Sequence, residues 1–155
     1  KIFNKLSMSK KIFFTIQAPL SKHLEIENLL KENNYNFEIK NFYNDFDDIL
    51  DQTDIALCRS GAGTINDLII HKIPAIICPL PSAKDNHQYE NAKILSSINC
   101  AIIVDKNNID EEEIMLFIDK SLNDMNFKKK LKLNFEDIEI KNANELMWSH
   151  IENAK

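Results

Sequence analysis

Three short apolar runs constrain the fold of this chain more than any other feature. They occupy residues 55–58 (IALC), 75–78 (AIIC) and 101–104 (AIIV), and none of them alternates apolar with polar residues. Continuous apolar runs of this length are typical of strands buried on both faces of a parallel sheet. Segments of helical length separate them, at residues 64–72 and 86–97. This alternation predicts an α/β protein.

The same pattern continues on both sides of these runs. Two further strands are predicted nearer the amino end, at residues 12–17 and 36–42, with a helix over residues 22–32 between them. Beyond residue 104 only helices are predicted, at residues 110–123, 127–135 and 143–151. We therefore predict one domain over residues 1–155, a doubly wound parallel sheet with right-handed crossovers, and a helical extension over residues 110–155. Residues 1–9 also have a helical pattern, and in this architecture a strand and a tight turn should precede them.

Composition excludes several classes of protein. Charged residues make up 28% and apolar residues 44% of the chain, which is typical of a globular protein. The net charge of −5 argues against a general nucleic-acid binder. No apolar stretch approaches the roughly 20 residues of a membrane span. The spacing of Cys58, Cys78 and Cys100 fits neither a zinc site nor a disulfide framework, so we expect reduced, buried thiols, no metal and no cofactor. The lysine-rich segment 128–132 is interpreted as a solvated helix face.

Arginine and glycine are concentrated at one point. The only arginine, Arg59, and the only glycines, Gly61 and Gly63, lie within five residues of one another, directly after a predicted strand. Ligands of open parallel sheets bind beyond the carboxyl ends of the strands. Glycine permits close backbone approach and a helix start offers unpaired N–H groups, so the turn predicts an anion site. It is neither a P-loop nor a dinucleotide fingerprint. Asp67, one turn into the helix, is placed to accept hydrogen bonds from a sugar diol; the alternative is an ordinary strand–helix turn capped by Thr64.

A second candidate segment follows the next strand. Residues 79–91 (PLPSAKDNHQYEN) combine an ordered loop, with Asp85 as a plausible helix cap, and a helix start that carries His87, Gln88 and Asn91. Gln88 and Asn91 are three positions apart and can share a helix face. Amide side chains at that position suit the neutral hydroxyls of a hexose. His87 by itself is better explained as a surface or capping residue.

These residues resemble a known family. The run over residues 54–92, DIALCRSGAGTINDLIIHKIPAIICPLPSAKDNHQYENA, is similar to the carboxy-terminal domain of the MurG glycosyltransferases, and weaker similarity extends from KIFNKLS to NANELMWSHIENAK. The resemblance implies the Rossmann-like carboxy-terminal half of a GT-B glycosyltransferase, with the first strand and the glycine-rich loop missing. Two positions depart from the family pattern: the acid is usually Glu where this chain has Asp67, and a small residue usually stands where it has Asn66.

The resemblance also implies a ligand and its contacts. In the family this domain holds the donor, UDP-N-acetylglucosamine. Carried over, Tyr43 lies where the family contacts the uracil, largely through backbone groups. The helix start at residues 62–67 lines the ribose and diphosphate, and the amides of Gln88 and Asn91 hold the hexose hydroxyls. The implied substrate-binding residues are Tyr43, Ala62, Gly63, Thr64, Ile65, Asn66, Asp67, Gln88 and Asn91. No catalytic residue is implied among them.

The implied activity is that of an inverting N-acetylglucosaminyltransferase of peptidoglycan synthesis, and hence of cell-wall biogenesis, cell shape and cell division. Its acceptor is undecaprenyl-pyrophosphoryl-N-acetylmuramoyl-pentapeptide, bound with the catalytic base in an amino-terminal domain outside these residues. The enzyme is expected at the cytoplasmic face of the bacterial plasma membrane, peripherally attached, with these 155 residues soluble and inactive alone. Two alternatives stay open. One is a stand-alone sugar-nucleotide-binding subunit of a two-chain, lipid-linked glycosyltransferase; the other is half of a nucleotide-sugar epimerase.

Overall fold

The computed structural model describes residues 12–80, 87–105, 107–136 and 138. Within these residues, strands and helices alternate, and two helices follow the last strand. The elements are β1 Phe13–Gln17, α1 Leu20–Glu32, β2 Asn36–Lys40, α2 Phe46–Asp51, β3 Ala56–Cys58, α3 Ala62–Ile70, β4 Ala75–Ile77, α4 His87–Ser97, β5 Ala101–Ile103, α5 Glu111–Asn123 and α6 Met125–Glu136. All five predicted strands are confirmed. The predicted helices over residues 1–9 and 143–151 lie outside the described residues.

The strands form two parallel sheets. β1 pairs with β2, and a second sheet has the order β3-β4-β5 with β4 in the centre. The α/β class and the parallel pairing are confirmed. The single sheet expected from the sequence is divided, because no strand among the described residues hydrogen-bonds to both β1 and β3.

The sheet β3-β4-β5 is covered on both faces. Ile77 of β4 packs in a cluster with residues of α3, α4 and α6, whereas its neighbour Ile76 packs against Ile114 and Phe117 of α5. Successive strand residues point to opposite faces, so the two clusters lie on the two sides of β4. All three residues of β4 are buried, which explains why this strand has no polar alternation in its sequence. Within the described residues, neither cluster includes any part of residues 12–45.

Local chemistry explains where α5 begins. The Asp110 carboxylate accepts hydrogen bonds from the backbone N–H groups of Glu112 and Glu113, at 3.0 and 2.9 Å. A side-chain cap of this kind stabilises a helix by about 1 kcal/mol. Three glutamates in the first turn add a favourable interaction with the helix dipole. The sequence therefore specifies this boundary without help from tertiary contacts.

The cysteines are only partly as expected. All three are free, and Cys100 is fully buried, with burial raising its pKa to about 12. Cys58 and Cys78 are partly exposed, because they lie at the carboxyl ends of β3 and β4 where the sheet meets solvent. Burial still raises the pKa of Cys58 to about 11. Such thiols stay protonated near neutral pH and are poor nucleophiles.

The lysine-rich segment is confirmed as a solvated face of α6. Lys129, Lys130 and Lys132 are exposed. Lys128 makes an ion pair with Asp54 at 3.3 Å. Exposed pairs of this kind contribute little to stability.

Candidate functional site

The turn after β3 presents the start of α3 at the carboxyl edge of the sheet. Gly61 is the N-cap of α3, with extended backbone angles, and the helix begins at Ala62. The expectation of a Thr64 cap is wrong, because Thr64 lies inside the first turn. A glycine cap has no side-chain oxygen, and the first turn carries no acidic residue. The positive end of this helix is therefore not neutralised by its own side chains, as an anion site requires.

Neither glycine is required by the backbone. Both have negative φ angles. A Cβ built on Gly63 meets nothing within 4 Å, and one built on Gly61 meets only the Thr64 Oγ1, at 3.7 Å. The space beside the first turn of α3 is thus open, in agreement with the predicted close approach of a ligand.

Gly63→Ala is expected to raise the free energy of unfolding by about 0.5–1 kcal/mol, because alanine loses less backbone entropy in a helix and the site has room for its methyl group. UDP affinity should fall, because the added methyl group occupies the open space in which a ligand is predicted to approach the backbone. Thermal unfolding and UDP titration of the two proteins test this. A lower melting temperature would contradict it.

The start of α4 is tied directly to that turn. The Ser60 Oγ donates to the Gln88 backbone oxygen at 2.6 Å, and the Asn91 Nδ2 donates to the Ser60 backbone oxygen at 3.0 Å. The Gln88 Oε1 accepts from the Leu80 N–H at 2.9 Å, which fixes the chain leaving β4. The structure therefore brings Gln88 and Asn91 to the turn that was predicted to bind an anion. Ser60 and its bonds were not predicted, because they join residues about 30 positions apart.

Arg59 supplies the cationic charge at this edge. It is exposed, and its Nη1 donates to the Cys78 and Pro79 backbone oxygens at 2.6 and 3.3 Å. Its charge lowers the pKa of the Cys78 thiol, although burial, the larger effect, raises that pKa above its usual value. No ligand-binding role was predicted for Arg59 from the sequence, although it is the only arginine of the chain. A cation held beside a helix start reinforces an anion site.

Asp67 lies in the second turn of α3 and is half-exposed. Among the described residues, its carboxylate forms no hydrogen bond or ion pair. The dipole effect falls off within the first turn of a helix, so the interpretation of Asp67 as a dipole-compensating residue is weakened.

The other helix residues differ in their exposure. The Ile65 side chain is buried in the core, so only its backbone is available to a ligand. Ala62 and Asn66 are exposed on α3, and His87 is exposed at the start of α4. Ser82 and Asp85 lie outside the described residues.

Tyr43 is placed differently from the other candidates. It follows β2 and is 5% exposed, and its hydroxyl donates to the Glu38 and Ile16 backbone oxygens at 3.2 and 3.4 Å. Lys40 lies over its ring, with the Nζ 4.9 Å from the centroid. The Tyr43 side chain therefore joins β1 to β2 and is not available to contact the uracil ring. A contact between uracil and the backbone here stays a prediction.

Two features are absent from the part of the chain that the structure describes. In it, no three His, Cys, Asp or Glu side chains are grouped as a metal site requires. None of its helices combines the length and the apolar character needed to span a bilayer.

These features define a class of protein. Parallel strands, flanking helices and two helix starts joined at the strand ends form the Rossmann-like carboxy-terminal half of a GT-B glycosyltransferase. The family model of the glycosyltransferase family 28 C-terminal domain matches residues 3–147. The chain belongs to that family.

Curated relatives carry one recurring name, UDP-N-acetylglucosamine--N-acetylmuramyl-(pentapeptide) pyrophosphoryl-undecaprenol N-acetylglucosamine transferase. One from Rickettsia bellii (strain RML369-C) is 38% identical over 104 residues, which cover 67% of this chain and 29% of that protein. One from Prochlorococcus marinus subsp. pastoris is 39% identical over 119 residues, 76% of this chain and 32% of that protein. The chain thus spans about a third of the length of these relatives.

Solved structures agree on the fold. The crystal structure of Acinetobacter baumannii MurG superimposes with a TM-score of 0.74 at 20% identity, covering 89% of this chain and 40% of that one. A glycosyltransferase of kitacinnamycin superimposes with a TM-score of 0.58 at 14% identity, covering 81% of this chain and 38% of that one.

Proposed function

We propose that this chain binds UDP-N-acetylglucosamine as the donor-binding part of an inverting N-acetylglucosaminyltransferase of peptidoglycan synthesis. The observation that carries the proposal is the direct joining of two helix starts by Ser60. One helix presents an uncompensated positive end, and the other presents two amides. A sugar nucleotide needs both, because a diphosphate lies between its nucleoside and its hexose. The names of the relatives support this reading over the separate subunit and the epimerase half.

Each part of the donor has a matching group. The backbone N–H groups of Gly63 and Thr64, with the Arg59 charge, suit the diphosphate. Asp67 lies one turn further along α3, where its carboxylate can accept from the ribose hydroxyls. Because the Gln88 Oε1 is occupied by the Leu80 N–H, the Gln88 amide nitrogen is left to donate to a hexose hydroxyl. The Asn91 Nδ2 is occupied by Ser60, which leaves the Asn91 Oδ1 as an acceptor.

The reaction also needs groups outside these residues. We infer that the lipid-linked muramoyl-pentapeptide and the catalytic base belong to a partner domain, so that the chain supplies one wall of a cleft. Because the acceptor is anchored to a bilayer, we place the enzyme at the cytoplasmic face of the plasma membrane as a peripheral protein. The names of the relatives, which state a pyrophosphoryl-undecaprenol acceptor, support this assignment.

Titration separates the donor-binding role from catalysis. The native protein that contains this chain is expected to bind UDP and UDP-N-acetylglucosamine, whereas the isolated 155-residue chain is expected to transfer no labelled sugar to a lipid-linked acceptor, because catalysis in a cleft needs both walls. Calorimetry with UDP, UDP-N-acetylglucosamine and adenosine diphosphate measures the first part. Failure to bind either uridine ligand, in this chain and in the native protein that contains it, would overturn the proposed function. Turnover by the isolated chain would overturn the two-wall requirement alone.

A further inference from the structure

One buried serine contacts both residues that carry the candidate hexose-binding amides. Ser60 is 0% exposed, so its side chain cannot reach a ligand. Its hydroxyl holds the Gln88 backbone at 2.6 Å, and its carbonyl holds the Asn91 side chain at 3.0 Å. Ser60 is the donor in the first bond and the acceptor in the second, and both bonds join the turn after β3 to the start of α4. Together they fix the helix in position and the Asn91 amide in orientation.

We propose that Ser60 is a positioning residue that sets the sugar selectivity of the donor site by holding Gln88 and Asn91 in place. The proposal rests on the proposed function, because it assumes that these amides face the hexose. Ser60 immediately precedes the N-cap of α3, so it also fixes the distance between the phosphate-binding helix start and the sugar-binding one. A small displacement of either helix changes the hydrogen bonds to individual sugar hydroxyls, which depend steeply on distance and angle.

The nucleotide and the sugar should respond differently to loss of this hydroxyl. UDP needs α3, the turn after β3 and the predicted backbone contact at Tyr43, whereas the N-acetylglucosamine group also needs α4. Ser60→Ala is therefore expected to leave UDP affinity within about twofold and to lower UDP-N-acetylglucosamine affinity about five- to tenfold, the effect of one or two weakened hydrogen bonds. Discrimination against the 4-epimer, UDP-N-acetylgalactosamine, should fall by a similar factor. A merely structural role would lower the affinity for all three ligands together.

Ser121 offers a matched control. It is 1% exposed in α5, and among the described residues its Oγ has no hydrogen-bond partner. Ser121→Ala removes the same hydroxyl from an equally buried place that is not in the site. All three affinities are expected to match the wild type.

Calorimetric titration of the three ligands is done on wild type, Ser60→Ala and Ser121→Ala in the native protein that contains this chain. If Ser60→Ala does not fold, Ser60→Cys replaces it. That variant keeps a side chain of similar size but replaces the hydroxyl that donates to the Gln88 backbone oxygen with a weakly donating thiol. Selective loss of the sugar contribution in either variant supports the proposal.

Two results would overturn it, and they are distinguishable. If wild type binds UDP-N-acetylglucosamine selectively and Ser60→Ala, or Ser60→Cys in its place, keeps the same affinity ratios, Ser60 has no positioning role and the proposed function stands. If wild type binds no uridine ligand, the proposed function fails and this inference fails with it.

Discussion

Asp67→Ala is expected to weaken UDP binding about ten- to hundredfold, the effect of losing a hydrogen bond to a charged group worth ~1.5–3 kcal/mol. Asp67 lies in the second turn of α3 and is partly exposed. A carboxylate accepts well from the paired hydroxyls of a ribose. Asp67→Glu should retain or improve the affinity, because the longer side chain reaches about 1.5 Å further. The measurement is UDP titration of the native protein carrying each variant.

The competing explanation makes a different prediction. If Asp67 only complemented the dipole of α3, its removal would lower stability by less than about 1 kcal/mol and leave binding unchanged. Thermal unfolding beside the titration separates the two effects. Asp119→Ala is a control, because Asp119 is an exposed carboxylate on α5 and is not one of the candidate site residues. An unchanged UDP affinity in Asp67→Ala, with a small drop in melting temperature, would favour the dipole explanation.

The 155-residue chain by itself is expected to unfold in parts and to aggregate. Among the described residues, β1 and β3 each have a hydrogen-bonded strand on one side only. No residue of β1 or β2 is fully buried, whereas every residue of β4 is. Unpaired strand edges promote association between chains. A parallel strand placed between β1 and β3 would pair both edges, and among the described residues no strand does so. Within the same residues, the two apolar clusters around β4 include no part of residues 12–45.

Hydrogen exchange measures this directly. Amides of β1 and β2 in the 155-residue chain should exchange at least about tenfold faster than those of β4, because local opening costs less free energy where few apolar contacts are broken. The thermal transition should be broad and accompanied by aggregation. A sharp two-state transition without aggregation, with uniform protection, would refute this expectation.

One matched pair of substitutions locates the exposed edge. Leu57 of β3 is 65% exposed, whereas its register partner Ile76 on β4 is 6% exposed. Leu57→Glu is expected to slow aggregation of the 155-residue chain with a stability change within about 0.5 kcal/mol, because it puts a charge at an exposed position. Ile76→Glu should prevent folding, since it buries an unpaired charge. Equal damage from both would show that β3 is covered.

Much of the fold follows from local sequence signals. Residues 75–77 are apolar without alternation, and they form a central strand buried on both faces. The sequence predicts a helix from residue 110. In the structure Asp110 is the N-cap of α5, which begins at Glu111. The alternation of helices and strands predicts a helix between β2 and β3, but not its bounds, because the six residues of α2 are too few to show helical periodicity and only Leu50 of them is buried.

Local patterns in the sequence specify the class of fold, the strands and the two segments that meet at the candidate site. These depend on patterns within about ten residues, where apolar spacing and turn chemistry act directly. How the segments are joined depends instead on contacts in the folded protein. The Tyr43 hydroxyl donates to backbone carbonyls of β1 and β2, the Ile65 side chain packs in the core, and the Ser60 hydroxyl donates to the backbone of α4. Each of these depends on hydrogen bonds or packing between residues far apart in the chain, and such contacts leave no periodic signal in the sequence.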